Sequence, residues 1–143
     1  MYILSTKAKF DSAHFLKDYD GKCANIHGHR WTVAVDVGSE ELQKEGPFRG
    51  MVVDFSKLKD DLRAETERLD HTLIYEEGSL LQETLDAFNK QGFRICAFNG
   101  RPTAENLAKY FFDYMESKGY KVLKVSVFET PDNMASYTES VGI

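Results

Sequence analysis

The stretch His27-Gly28-His29-Arg30-Trp31-Thr32-Val33-Ala34-Val35-Asp36-Val37 alternates, and its reading decides the fold. Trp31, Val33, Val35 and Val37 occupy one parity, while Thr32, Ala34 and Asp36 occupy the other. A strand with one buried and one wet face requires this pattern. His27 and His29 share the apolar parity, because side chains two apart in an extended chain point to the same face. Upstream, residues 1–14 read as a partner strand. There Ala8, Phe10, Ser12 and His14 share one parity, and Lys7, Lys9 and Asp11 the other. Residues 18–26, rich in Asp, Gly, Lys and Asn, form the loop between the two strands.

Downstream of Gly38, a charged connection runs to Gly50, followed by a short extended piece, Met51-Val52-Val53. Asp54 is placed to cap a helix whose apolar stripe is Phe55, Leu58, Leu62 and Leu69. Ser79 and Gln82 have capping-box spacing before a second stripe, Leu81, Leu85 and Phe88, which Gly92 stops. Residues 93–98 read as short and extended or irregular. Pro102-Thr103 precedes a third stripe of Leu107, Phe111 and Met115, ending at Gly119. Residues 121–129 are the clearest later strand, with Leu123, Val125 and Val127 on one parity. A last strand is expected from Ala135 to Ser140. Two strands, helices and two strands imply an α+β fold, an antiparallel sheet covered by helices on one face.

The 143 residues suit a single domain, 1–143, with no repeat, low-complexity tract or linker. A hydrophobic fraction of 42% with 29% charged residues excludes a disordered chain. Eighteen Lys and Arg against 23 Asp and Glu leave a net charge of −5, which argues against gripping nucleic acid or an anionic membrane. No apolar run approaches the roughly 20 residues of a membrane helix. The opening residues lack the pattern of a signal peptide. Two cysteines, Cys23 and Cys96, are too few for a disulfide scaffold. The expectation is a soluble, cytoplasmic domain.

Chemistry concentrates on a few residues. His14, His27 and His29 lie on inward parities, so three imidazoles can meet at one end of the sheet. Such a group either binds a metal such as zinc, leaving a fourth position open, or forms a hydrogen-bonded core cluster. Glu129 shares the parity of Leu123, Val125 and Val127. Its carboxylate either turns inward toward a partner or reaches solvent where the strand frays. Inward, it would suit a ligand with adjacent N–H donors, since a carboxylate accepts two parallel hydrogen bonds. Asp70-His71 offers an imidazole oriented by a carboxylate, as acid–base catalysis requires, or is a chance dipeptide. Cys23 sits four residues before His27. A thiol beside a metal cation ionises more readily and can act as base or nucleophile, whereas away from one it is inert. Cys96, in an apolar segment, reads as core.

Taken in order, Phe10-Asp11-Ser12-Ala13-His14, Cys23-Ala24-Asn25-Ile26-His27-Gly28-His29, Gly50-Met51-Val52-Val53-Asp54-Phe55, Leu69-Asp70-His71, Pro102-Thr103-Ala104-Glu105-Asn106 and Glu129-Thr130 form a specific set. The chain resembles the family of 6-pyruvoyl- and 6-carboxy-tetrahydropterin synthases. The resemblance implies a tunnelling fold, a four-stranded antiparallel sheet with helices between its second and third strands. Subunits of that family form barrels, commonly homohexamers built as dimers of trimers, with active sites at subunit interfaces. It implies Zn2+ held by His14, His27 and His29, catalytic Cys23, Asp70 and His71, and a pterin anchored by Glu129. Thr103 and Glu105 fall near the pterin in the family pattern, although Thr103 also suits a helix cap and Glu105 a first helical turn.

The substrate implied is 7,8-dihydroneopterin triphosphate. One branch of the family makes 6-carboxy-tetrahydropterin for queuosine and 7-deazaguanine synthesis, releasing acetaldehyde and triphosphate. The other makes 6-pyruvoyl-tetrahydropterin for tetrahydrobiopterin. The Cys23–His27 spacing and Asp54-Phe55 look more like the carboxy-forming type. A non-catalytic protein that binds zinc or pterin is the third reading. Residues 75–101 look longer than the family pattern, with an extra helix.

Overall fold

Phe10 and Trp31 stack with ring centroids 6.1 Å apart, and the pairing that joins them organises the sheet. The computed structural model describes residues 1–139. Its elements are β1 (Tyr2–His14), β2 (His27–Ser39), α1 (Phe55–Leu69), β3 (Thr72–Glu76), α2 (Gln82–Lys90), β4 (Ile95–Phe98), α3 (Ala104–Ser117), β5 (Val122–Thr130) and β6 (Asn133–Tyr137). β1 and β2 pair antiparallel along their whole lengths. Phe10 stands opposite Trp31, Ser12 opposite His29 and His14 opposite His27. Ala8, Phe10, Ser12 and His14 are all buried, as their parity requires.

β5 pairs antiparallel with β2, Val33 opposite Val127, and β6 pairs antiparallel with β5. α1 packs on β1 and α3 on β5 and β6, covering one face. The core between them holds Trp31, Val33, Val35, Leu58, Leu62, Leu107, Phe111 and Met115. Each such side chain contributes about 1.5–3 kcal/mol by leaving water. One carboxylate, Glu65, is buried on α1. Arg68 pairs with it at 2.6 Å, and the Tyr110 hydroxyl donates to it. Burial, then that carboxylate, pushes the phenol up to about 12. Among the described residues, no helix is long and apolar enough to cross a membrane.

The α+β class holds, but the four-stranded expectation is corrected to six strands in the order β4-β3-β1-β2-β5-β6. β3 runs parallel to the end of β1, over residues 12–14, and β4 runs parallel to β3. These two strands are five and four residues long, too short for alternation to stand out. Both belong to the long segment between α1 and α3.

Smaller corrections follow from context. Phe55 is 62% exposed, because it opens α1 beside a groove shared with Tyr2, Ile3 and Met51. Glu65 and Thr66 take the buried positions further along. α2 starts at Gln82 with Leu81 as its cap and no side-chain bond, and none of its residues is buried. The Ser79 hydroxyl has no partner. β6 begins before Ala135 and ends at Tyr137, while Ser140 lies outside the described residues.

Candidate active site

The pairing of His14 with His27, and of Ser12 with His29, gathers three imidazoles at one end of the sheet. Their ring centroids lie 4.6, 5.1 and 4.9 Å apart, and Trp31 closes the cluster edge-on to His14 and His29. The continuation of β5 past Phe128 brings Glu129 to the same place, with its carboxylate 3.0 Å from His29 Nε2. One ligand atom from each of these four residues lies within 4.8 Å of every other. Glu129 therefore turns inward.

The hydrogen bonds fix which nitrogens are free. His14 Nδ1 lies 2.8 Å from the Pro102 carbonyl and His27 Nδ1 lies 2.7 Å from the Asn25 carbonyl. A carbonyl only accepts, so both Nδ1 atoms donate and both Nε2 atoms carry lone pairs when the rings are neutral. Those two Nε2 atoms face each other at 3.1 Å. His29 Nε2 is buried and has no hydrogen-bond partner, because the nearby Glu129 oxygen is close but poorly aligned. Two nitrogen lone pairs thus face each other with no proton between neutral rings, beside the unbonded Nε2 of His29, an arrangement a cation relieves. The 3.1 Å separation approaches the edge of about 3.3 Å in a tetrahedral site with metal–nitrogen bonds near 2.05 Å. Burial lowers the pKa of His14, and burial outweighs the Glu129 carboxylate in lowering that of His29. Neutral imidazole is the form that ligates a metal. The donor set fits a metal ion.

Asp70 and His71 form a dyad, His71 Nδ1 donating to Asp70 Oδ2 at 2.7 Å. The dyad docks on the main chain of β1. Asp11 N–H donates to Asp70 Oδ1 at 2.7 Å, and His71 N–H donates to the Asp11 carbonyl at 2.6 Å. The Asp11 amide, acting first, and then His71 hold Asp70 below the usual carboxylate range. Among the described residues, no hydrogen bond or ion pair joins this dyad to the histidine cluster. Cys23 lies half-buried in a 3-10 turn, Lys22–Ala24, its thiol unbonded among the described residues and its carbonyl accepting from Leu16 N–H at 2.9 Å. That turn leads directly to Asn25, the residue that holds His27.

Thr103 caps α3, accepting from Asn106 N–H at 3.1 Å, and Glu105 is exposed in the first turn. Cys96 is half-buried against the core and accepts from Arg68 Nη1 at 3.5 Å. The residues that sequence reasoning missed are Asn25 and Pro102, which orient two histidines through backbone carbonyls. Main-chain acceptors leave no mark in residue type. A cleft of about 500 Å³ between β4 and α3 contains none of the four clustered side chains.

Comparisons with known proteins bear on the family and the fold. Residues 3–140 match the family model described as 6-pyruvoyl tetrahydropterin synthase. The chain is 32% identical over 145 residues to the 6-carboxy-5,6,7,8-tetrahydropterin synthase of Haemophilus influenzae, covering 97% of this chain and 100% of that protein. It is 34% identical over 138 residues to the protein of the same name from Aquifex aeolicus, covering 89% and 83%. The fold superimposes on the 6-pyruvoyl tetrahydropterin synthase of Caenorhabditis elegans with a TM-score of 0.64, 26% identity and 98% of each chain covered. A Wolinella succinogenes protein gives a TM-score of 0.80 at 23% identity, covering 97% and 98%, a likeness of fold. The match along residues 3–140 and the shared fold place this chain in the 6-pyruvoyl tetrahydropterin synthase family.

Proposed function

We propose that the protein is a zinc-dependent lyase that converts 7,8-dihydroneopterin triphosphate to 6-carboxy-5,6,7,8-tetrahydropterin, releasing acetaldehyde and triphosphate. The observation that carries this reading is the convergence of His14, His27 and His29, two of them with tautomers fixed by backbone carbonyls. The bacterial relatives named 6-carboxy-5,6,7,8-tetrahydropterin synthase support the carboxy branch. The product places the activity in queuosine and 7-deazaguanine synthesis. Zinc held by His14, His27 and His29 would supply a Lewis acid for the hydroxyls of the substrate side chain.

The chain's own residues supply the rest. Cys23 takes or returns a proton on the substrate side chain. His71, held by Asp70, handles the partner proton. Glu129 receives the amino and ring N–H groups of the pterin. Among the described residues its polar partner is His29 Nε2, a poorly aligned one, so metal binding there would leave the carboxylate free for substrate. The fixed bond of Thr103 to Asn106 favours capping as its main task, with substrate contact secondary, and Glu105 lies beside it.

A homohexamer, a dimer of trimers, completes the reading. Among the described residues, β1 pairs with β3 over residues 12–14 and Asp11 bonds the dyad, so the outer backbone edge of residues 2–9, apart from the Lys7 carbonyl that Lys59 reaches, is left for a strand of a neighbouring subunit. Assembly also offers a way to bring a dyad to a metal site that it does not touch within one chain. Turnover of the triphosphate by protein stripped with a chelator, then reloaded with zinc, tests the proposal. Activity must fall on stripping, return on reloading, and stay absent in the His27→Ala/His29→Ala variant. Full turnover by the stripped protein overturns it.

A further inference from the structure

We infer that Asp11 and Arg30 are positioning residues for the Asp70–His71 dyad: the Asp11 main chain holds it, and the Arg30 guanidinium balances the Asp11 carboxylate beside it. The inference rests on the proposed role of the dyad in proton transfer. The resemblance that marked Asp70 and His71 assigned nothing to Arg30.

Three observations carry it. The Asp11 amide and carbonyl bond to Asp70 Oδ1 and His71 N–H at 2.7 and 2.6 Å, so one residue of β1 grips both members of the dyad. His71 has a φ of 57° although it carries a side chain. That left-handed conformation is strained for a residue with a side chain and persists where surrounding bonds over-determine it. Finally, the Asp11 carboxylate is held by Arg30 through two parallel bonds, Nε at 2.9 Å and Nη2 at 3.1 Å. The two residues face each other across β1 and β2, so the ladder sets the fork.

The charged groups that face His71 come from four elements or their ends. Asp70 ends α1, Asp11 lies on β1 and Arg30 on β2. Arg94, before β4, donates to the Asp70 carbonyl at 2.8 Å. His71 itself is 73% exposed in this chain, so it works in a water-like medium where single charges have modest but readable effects. A bare surface ion pair would leave the dyad unaffected. A balancing pair makes the two residues act with opposite sign.

Turnover is measured against pH for the parent and three variants. The limb of the kcat profile that His71→Ala removes is followed, together with the His71 imidazole carbon signal, assigned by its loss in His71→Ala. Arg30→Met leaves the Asp11 carboxylate unbalanced and should move the limb and the signal to higher pH by about 0.5 unit. Asp11→Asn leaves Arg30 unbalanced and should move both to lower pH by a similar amount. Asp11→Asn/Arg30→Met should return both to within about 0.1 unit of the parent. Arg30→Lys, which keeps the charge, should restore most of the Arg30→Met shift. Metal content and urea midpoint report whether each variant is folded. If one single variant unfolds, the other against the parent still gives the sign. No movement, or movement of both single variants in one direction, overturns the inference. Signal shifts of the expected sign in a parent that does not turn over the triphosphate would sink the proposed reaction and leave the positioning role standing.

Discussion

Replacing His27 with alanine should have opposite consequences with and without metal. The two Nε2 lone pairs of His14 and His27 face each other at 3.1 Å, each ring turned by its bond to a backbone carbonyl. Without a metal this contact is repulsive for neutral rings. His27→Ala removes the repulsion, and the only losses are a half-buried ring and one exposed hydrogen bond of about 1 kcal/mol. In chelator the variant should therefore match the parent to within about 1 kcal/mol. With metal at 100 times its dissociation constant, the parent gains about 2.7 kcal/mol that the variant largely forfeits. At roughly 2–4 °C per kcal/mol for a chain of this size, that is a gap of about 5–10 °C in Tm. Calorimetry of both proteins, with excess zinc and with chelator, reads the difference. Equal losses in the two conditions would refute the reasoning, because the histidine would then be a packing residue and nothing more.

Cys23→Ala should abolish turnover while metal content and Tm stay at parent values, and near-parent activity removes Cys23 from the mechanism. Glu129→Gln keeps the shape but turns one acceptor into a donor, so affinity for a pterin analogue should fall about 30-fold, or about 2 kcal/mol, in a titration. Zinc content should hold in that variant, and its loss would make Glu129 a ligand instead. Stability of the metal-free protein should rise with pH toward about 6.5 and then level. His14 and His29 are depressed mainly by burial, so the unfolded chain takes up their protons first as pH falls. Urea midpoints from pH 5 to 8 check the sign, and a midpoint that falls over this range contradicts it.

The part of the fold that alternates in sequence was legible. Trp31, Val33, Val35 and Val37 are all buried, and the shared parity of His14, His27 and His29 led to a real cluster. Three imidazoles on paired strands need only the right register to meet, and β1 and β2 supply it. Phe55 misled because a helical stripe does not say where the covering layer ends. β3 and β4 were missed as a parallel extension because four or five residues carry too little periodicity, and parallel pairing depends on partners distant in the chain. The inward turn of Glu129 followed from parity. Its contact with His29 needed the β2–β5 register as well. The grip of Asp11 on the dyad was hidden for another reason, since it uses main-chain atoms that every residue possesses.

The product formed from 7,8-dihydroneopterin triphosphate tests the central claim most directly. The histidines, Cys23 and the dyad suit either outcome of the family's chemistry, whereas cleavage of the side-chain carbon–carbon bond belongs to only one. Mass spectrometry of the pterin, paired with an assay for acetaldehyde on the same zinc-loaded sample, separates them. The account predicts 6-carboxy-tetrahydropterin with acetaldehyde in equal amount and triphosphate released. A 6-pyruvoyl product without acetaldehyde, or no turnover with zinc fully bound, would contradict it.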